Sequence, residues 1–312
     1  MFEHPKIDAI LAELRSHDAI ELTASILFGL VSILLISLGT LTKQTERSDY
    51  NGERWFACPE LNGPKRAWEV FNFFYGFVWI AIFAIIVAFR LYERFDFFEY
   101  MVVCGGLCVP ILASPIFFPS SEDKKQPILR RFGVRANLWM IVYSFIGNYW
   151  YTHYFYNVLK ANYTMPSKRL NNVPIQLYFS TFFYFCFYHT LSNAVLRRIT
   201  STFRQNFQRK IFVCLSVFSM AYFTAFMESW TISSYPDYYF EDQFMAFTIG
   251  SAFYGLYFIV SFPMFYRFDE WPKTKKSPSL WETFVDSMGC GMIILMLLDI
   301  VRLMLGIGLT IE

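Results

Sequence analysis

Eight long apolar runs constrain the fold of this 312-residue chain more than any other feature of its sequence. A helix needs roughly 20 apolar residues to cross the hydrocarbon core of a bilayer. Runs of about that length occupy residues 20–41, 68–90, 97–118, 136–158, 175–197, 210–232, 243–266 and 281–305. Backbone polar groups in lipid must be satisfied within each helix, so we expect an all-α fold, a polytopic transmembrane helical bundle with about eight spans.

Composition agrees with this interpretation and limits where function can lie. The chain is 55% hydrophobic, 21% aromatic and 17% charged, which is too apolar for an ordinary soluble domain. The polar segments between the runs are short, the longest at residues 42–67, and leave no room for a separate soluble domain. We therefore expect the functional site inside the bundle.

The absence of several sequence motifs limits the classes of reaction that the protein can catalyse. The sequence has no phosphate-binding glycine loop, no dinucleotide fingerprint, no H-E-x-x-H motif and only four histidines. Clustered-histidine iron chemistry is therefore excluded, and we expect neither a metal nor a cofactor. The basic loops are expected to meet anionic head groups rather than nucleic acid.

The chain divides into an amino-terminal part and a core. Residues 1–64 are expected to contain an amphipathic surface helix at residues 2–17, an extra membrane span and a linker, and residues 65–312 a core of about seven helices. Lys and Arg are concentrated in the loops after the first, third, fifth and seventh runs. This excess predicts that these loops are cytosolic and that both termini lie on the other face.

The fourth run carries unusual polarity for a membrane helix. Tyr149, His153 and Tyr156 follow the helical period and share one face, and Asn148 and Thr152 lie beside it. Such side chains must face other helices, a ligand or a water-filled pocket. The helix is expected to line a polar cavity, and the alternative is that these groups only bind neighbouring helices.

The fifth run carries a second polar stripe. His189, Asn193 and Arg197 are spaced four residues apart and lead toward the predicted cytosolic end of the helix. Arg197 is expected to reach the head groups. His189 and Asn193 are candidates for substrate contact, with helix bridging as an equal alternative.

Three candidate residues fall at one predicted depth. Glu228 is the single acidic residue of the sixth run, and a buried carboxylate normally pairs, becomes protonated or has a function. His153, Glu228 and Asp299 each lie roughly 26 Å from the cytosolic boundary at the helical rise per residue. Asp299 and Arg302 have the spacing of an ion pair, which is the simpler interpretation of both. If the helices converge, this layer gathers an acid and a base.

Five segments carry a resemblance to a known family: GNYWYTHYFYNVL, NYTMPSKRLNNVP, FYHTLSNAVLRR, YFIVSFPMFYRFDE and LDIVRLMLG. They resemble the corresponding segments of the cycloeucalenol cycloisomerases, and the resemblance extends from about Lys65 to Gly306. It implies a multi-pass isomerase of the endoplasmic reticulum that opens the 9β,19-cyclopropane ring of cycloeucalenol to give obtusifoliol. Its partners would be the sterol and the bilayer, and no cofactor is needed.

Ring opening needs an acid, a surface that tolerates positive charge, and a base. Glu228 is predicted to be the proton donor and His153 the base or the partner of Glu228, with Asp299 as a third catalytic candidate. Residues predicted to contact the sterol are Asn148, Tyr149, Trp150, Tyr151, Asn171, Asn172, His189, Asn193 and Arg302. For Asn171 and Asn172, candidates to bind the sterol hydroxyl, a simple turn is an equal alternative. Alternative functions are a sterol double-bond isomerase and a non-enzymatic sterol- or lipid-binding membrane protein. No oligomeric state is predicted.

Overall fold

The computed structural model describes residues 13–44, 52–232, 235–270 and 277–309. The first eleven residues of the predicted surface helix at 2–17 lie outside these ranges. The described residues form the helices α1 (Ala19–Gly39), α2 (Pro59–Ala88), α3 (Phe97–Phe117), α4 (Phe132–Ile146), α5 (Ile175–Thr202), α6 (Phe207–Ile232), α7 (Gln243–Phe247), α8 (Ile249–Arg267) and α9 (Leu280–Met304). The predicted all-α fold is confirmed.

Six helical segments of the described residues are long and apolar enough to cross a membrane. They are α1, α2, α3, α6, α9 and the segment Gln243–Arg267 that contains α7 and α8. The prediction of about eight spans is therefore slightly high by this measure. The two remaining predicted spans correspond to α4, which is 15 residues long before its geometry changes, and α5, which contains Arg197 and Arg198.

The chain after α4 remains helical but widens. A π-helical turn at Gly147–Tyr151 is followed by one α-helical turn at Thr152–Tyr154 and a second π-helical turn at Phe155–Leu159. We call residues 132–159 the α4–π segment. A π turn closes its hydrogen bonds one residue later than an α turn, so it changes which side chains share a face.

Local sequence explains where two of the helices begin. The Asp96 carboxylate caps the start of α3, and the Asp96 backbone N–H donates in turn to the Glu99 carboxylate. Ser279 and Glu282 form the same reciprocal arrangement at the start of α9. These capping boxes satisfy backbone N–H groups that a helix start leaves without partners.

Small residues allow the helices to approach closely. A Cβ atom on Gly76 of α2 would lie 2.1 Å from the Phe187 ring of α5, and one on Gly291 of α9 would lie 2.6 Å from Ile146. Gly255 of α8 faces the backbone of Ala221 in α6 at 3.5 Å. Such small residues let two helix backbones pack closely. This packing favours helix association in lipid, where the hydrophobic effect does not drive helices together.

Four short strands cover one end of the bundle. Strand β1 (Ala161–Tyr163) pairs antiparallel with β4 (Tyr238–Phe240), and β2 (Arg169–Leu170) pairs antiparallel with β3 (Val173–Pro174). We call this the strand end. The opposite end, where residues 52–58 and 118–131 lie, is called the basic end.

A buried ion network closes the basic end. Arg197 of α5 lies 2.7 Å from a Glu69 oxygen of α2 and 2.8 Å from a Glu270 oxygen, and Lys65 lies 2.8 Å from Glu270. All four side chains are at most 6% exposed. The prediction that Arg197 reaches the head groups is therefore wrong. Two carboxylates hold its guanidinium inside the protein, because a buried charge must be paired.

Candidate active site

A large cavity lies within the bundle and is lined by residues of α2, α3, the α4–π segment, α5, α6 and α8. Its volume is about 1470 Å³, and its lining is mostly apolar and aromatic. Pockets for drug-sized ligands span roughly 300–1,000 Å³. The cavity therefore has room for a rigid polycyclic lipid together with a flexible tail.

Glu228 is the acidic group of the lining near the strand end. Its carboxyl interacts with the hydroxyl groups of Tyr188 on α5 and Tyr254 on α8. It forms no ion pair with a described Lys, Arg or His, and its Oε2 atom has no hydrogen-bond partner among the described residues. A carboxyl held by phenols and left without a cation is placed to exchange a proton with a bound molecule.

Aromatic rings surround this carboxyl. The Tyr254 ring lies 4.8 Å from the rings of both Phe155 and Tyr257, and 5.3 Å from Phe258. Tyr184, Tyr188 and Tyr238 also lie within the electrostatic reach of Glu228. Ring faces attract positive charge. The same wall that leaves Glu228 without a cation can therefore stabilise a cation formed beside it.

The α4–π segment lines the cavity through Asn148, Thr152 and Phe155. The sequence predicted that this helix lines a polar cavity, whereas most of the lining is apolar. The Asn148 amide donates to the Ser144 carbonyl at 2.8 Å and to the Thr181 hydroxyl at 2.6 Å. These contacts fix Asn148 at the cavity wall between α4 and α5. Asn148 is thus one of the predicted substrate-contact residues that the structure places in the lining.

His153 is buried behind this wall and is not part of the lining. Asn171 is its polar neighbour, the Tyr156 ring lies 5.8 Å away, and its Nε2 atom has no hydrogen-bond partner among the described residues. Asn148 and Thr152 form the neighbouring stripe of the same helical segment, and this stripe lines the cavity, whereas His153 does not.

The three aromatic candidates after Asn148 point in different directions. Tyr149 stacks on Phe145, with ring centroids 5.5 Å apart, and its carbonyl accepts a hydrogen bond from Asn171. Trp150 is 41% exposed on the outer surface. Tyr151 is fully buried and donates to the Gly291 carbonyl of α9 at 2.7 Å. None of the three lies in the cavity lining.

Asp299 and Arg302 form the predicted ion pair on α9. Their side chains meet at 2.6 Å, and the Tyr154 hydroxyl lies 3.4 Å from Asp299. Tyr154 follows His153 in the chain, so this contact brings Asp299 close to the turn that carries His153. However, α9 packs against the outer side of the α4–π segment, and neither member of the pair lines the cavity.

His189 and Asn193 bind neighbouring helices. The His189 ring contacts the Phe185 carbonyl at 2.7 Å and the Ser261 hydroxyl of α8 at 2.9 Å. Asn193 donates to Glu69 of α2 at 3.1 Å. Of the two interpretations left open by the sequence, the contacts support helix bridging for both residues.

Asn171 and Asn172 form the turn between β2 and β3. Both have positive φ angles, 50° and 58°. A two-residue hairpin turn of this kind requires positive φ at both positions, which Asn tolerates well. Their place outside the cavity lining agrees with the turn that the sequence left as an alternative to substrate contact.

Several site residues were not predicted, above all Tyr188 and Tyr254. A signal for Tyr188 was present, because Tyr184 and Tyr188 have helical spacing one position before the His189 stripe. Thr224 and Thr231 likewise flank Glu228 on the cavity face of α6. Sequence alone does not show which of two adjacent stripes of a helix faces a cavity.

Fold and site together define a class: a helical membrane protein with an aromatic cavity in the bundle and the Glu228 carboxyl in its lining near the strand end. The chain is 38% identical over 251 residues to a curated protein of Arabidopsis thaliana named Cycloeucalenol cycloisomerase. The match covers 78% of this chain and 88% of that protein. The chain belongs to the cycloeucalenol cycloisomerase family. No model of a protein family matches the chain, and no solved structure matches it.

Proposed function

We propose that this protein is an isomerase that opens the 9β,19-cyclopropane ring of cycloeucalenol to give obtusifoliol within the membrane. The observation that carries the proposal is Glu228, a carboxyl that pairs with no cation of the described residues, in an aromatic cavity large enough for a sterol. Family membership supports the substrate class. The reaction is an internal rearrangement and consumes no cofactor.

The first step is proton transfer from Glu228 to C19. The electrons of the C9–C19 bond form the new C19–H bond, and positive charge develops at C9. The Tyr254 side chain contacts the carboxyl and its ring packs against Tyr257 and Phe155. The faces of these rings stabilise that charge. A protonated carboxyl also avoids most of the cost of burying a charge in the membrane interior.

The second step removes a proton from C8, and the electrons of that C–H bond form the C8–C9 double bond. The C8 hydrogen and the C19 bridge lie on the same face of the sterol. The carboxylate that Glu228 becomes after the first step is therefore placed to accept the proton and regain its starting state. The roles predicted for His153 and Asp299 require contact with the sterol. Since neither lies in the lining, our proposal assigns both transfers to Glu228.

The proposal includes the location of the protein and its orientation in the membrane. We place the protein in the endoplasmic reticulum, with the basic end in the cytosol, because loops rich in Lys and Arg stay on that side. The reacting carboxyl then lies near the lumenal boundary. A sterol with its hydroxyl at that boundary presents its first two rings to Glu228.

Membranes containing the protein, incubated with cycloeucalenol in deuterated water, test the function. Our proposal predicts obtusifoliol with one deuterium in the C19 methyl group, because Glu228 exchanges with solvent between turnovers. A double-bond isomerase would leave the cyclopropane ring intact, and a binding protein would return the sterol unchanged. Membranes from cells lacking the protein are the control.

A further inference from the structure

A second polar cluster lines the cavity at the strand end. The hydroxyl groups of Tyr100 on α3 and Tyr235 form a hydrogen bond with each other, and the Tyr100 hydroxyl lies 3.4 Å from the Asp237 carboxylate. Both tyrosines belong to the cavity lining. The neighbouring lining is aromatic, with the Phe95 ring 5.3 Å from the Tyr100 ring.

The cluster is fixed by its surroundings. The Thr164 backbone N–H donates to the Asp237 carbonyl at 2.9 Å, and its hydroxyl lies 3.4 Å from the Asp237 carboxylate. The Tyr235 ring packs edge-on against Tyr92 at 5.1 Å. A preorganised polar group in an apolar pocket commonly orients a ligand.

The donors and acceptors within the cluster show which hydrogen bond it can form with a ligand. Tyr100 has one hydroxyl hydrogen and donates it to Asp237, so Tyr235 is the donor in the bond between the two tyrosines. Burial raises the pKa of Tyr235, which keeps its hydroxyl protonated and in that role. Lone pairs remain on both phenol oxygens. The cluster therefore suits a ligand that donates a hydrogen bond, such as an alcohol.

The position of the cluster relative to Glu228 suits a sterol. Tyr184 interacts with both Cys104 and Glu228, which places Cys104 of α3 across the cavity from the carboxyl. Tyr100 is four residues before Cys104 on the same face, about 6 Å nearer the strand end. In the sterol, the 3-hydroxyl and the carbon that carries the C19 bridge lie at opposite ends of the first ring. That separation is comparable to one helical turn.

We infer that the Tyr100–Tyr235–Asp237 cluster binds the 3-hydroxyl group of the sterol and thereby sets the position of C19 against Glu228. The inference rests on the proposed function and adds the pose of the substrate. Tyr100 and Tyr235 are then binding residues, and Asp237 is a positioning residue that orients the Tyr100 hydroxyl.

The test compares cycloeucalenol with its 3-deoxy and 3-keto analogues as substrates for ring opening. The wild-type protein should prefer the 3-hydroxy sterol by roughly tenfold in kcat/KM, the effect of one hydrogen bond in a buried site. The 3-keto analogue keeps the oxygen but cannot donate, so it should behave like the 3-deoxy sterol. Tyr235→Phe and Tyr100→Phe should each reduce the preference severalfold, chiefly through KM.

The preference is a ratio measured within one variant, so partial loss of folded protein does not alter it. Tyr239→Phe is the matched control, because Tyr239 lies on the neighbouring strand, is exposed, and should keep the wild-type preference. Equal preference in the wild type and in both cluster variants would overturn the inference while leaving ring opening intact. A wild-type protein that opens none of the three sterols would instead overturn the proposed function.

Discussion

Replacement of Arg197 by alanine probes the ion network at the basic end. Arg197 is the cation that pairs with Glu69 in the described structure, and the Glu69 side chain is fully buried. Glu270 keeps Lys65 at 2.8 Å when Arg197 is removed, whereas Glu69 keeps only hydrogen bonds from neutral groups. Removing one partner of a buried ion pair typically costs about 3–5 kcal/mol.

We therefore expect Arg197→Ala to lower the free energy of unfolding by about 3–5 kcal/mol, measured by denaturation in detergent micelles. The double variant Arg197→Met, Glu69→Met should regain much of this loss, because an apolar replacement of both partners removes the uncompensated charge. Arg90→Ala is the control. It removes an exposed ion pair with Glu93 at 3.7 Å, which contributes about 0–1 kcal/mol.

The two variants separate the possible explanations. If Arg197→Ala costs no more than Arg90→Ala, the network is solvated and does not hold α2 against α5. If the double variant is as unstable as the single one, the loss comes from packing rather than from the unpaired Glu69 carboxylate. Either result would refute the electrostatic reasoning.

Three further predictions concern the same scaffold. Burial alone would raise the pKa of Glu270, but Lys65 and Arg197 lower this pKa below its ordinary value of 4.5. The free energy of unfolding should therefore be constant above about pH 5 and fall as the pH drops below 4.5. Denaturation measured across pH should show this fall, and the same fall in a Glu270→Gln variant would contradict it. His189→Ala should reduce the amount of folded protein more than turnover per molecule, because it removes the contact with Ser261, and immunoblotting with activity per molecule measures both; a well-folded variant without turnover would reverse this ranking. Single cysteines introduced at Ser121 and Gln205 should react with an impermeant thiol reagent only from the cytosol, above the background of the natural cysteines. A single cysteine at Lys168 should react only from the lumen. The opposite labelling would contradict the predicted orientation.

Helical type and order were predictable from sequence because they follow from local features. Apolar length predicted the helices, and the rise per residue predicted one layer for His153, Glu228 and Asp299. In the structure the hydroxyl of Tyr154, the residue after His153, lies 3.4 Å from Asp299. The orientation of side chains around a helix was harder to predict. His153 was expected on the cavity face, but the adjacent stripe with Asn148 and Thr152 lines the cavity instead.

The sequence did not predict which helices lie beside one another around the cavity. His153, Glu228 and Asp299 were expected in one layer, yet of the three only Glu228 lies in the cavity lining. His153 is buried behind the wall, and Asp299 belongs to α9, which packs outside the α4–π segment. The stripe of His189, Asn193 and Arg197 shows the same limit. Its polar groups satisfy one another across α2, α5 and α8 instead of facing the ligand cavity.

The rate of ring opening by Glu228→Gln, measured in membranes under single-turnover conditions, tests the central claim most directly. Gln keeps the shape and some hydrogen bonding but has no transferable proton, so the rate should fall by at least about 10², the lower range of general acid catalysis, with abundance and sterol binding retained. Glu228→Asp should lose less, because it keeps an acid set back by one methylene. Asp299→Asn makes the same carboxyl-to-amide change outside the cavity lining and should keep most of the wild-type rate. Near-normal ring opening by Glu228→Gln, above all if Asp299→Asn were inactive, would contradict the assignment of the acid to this cavity.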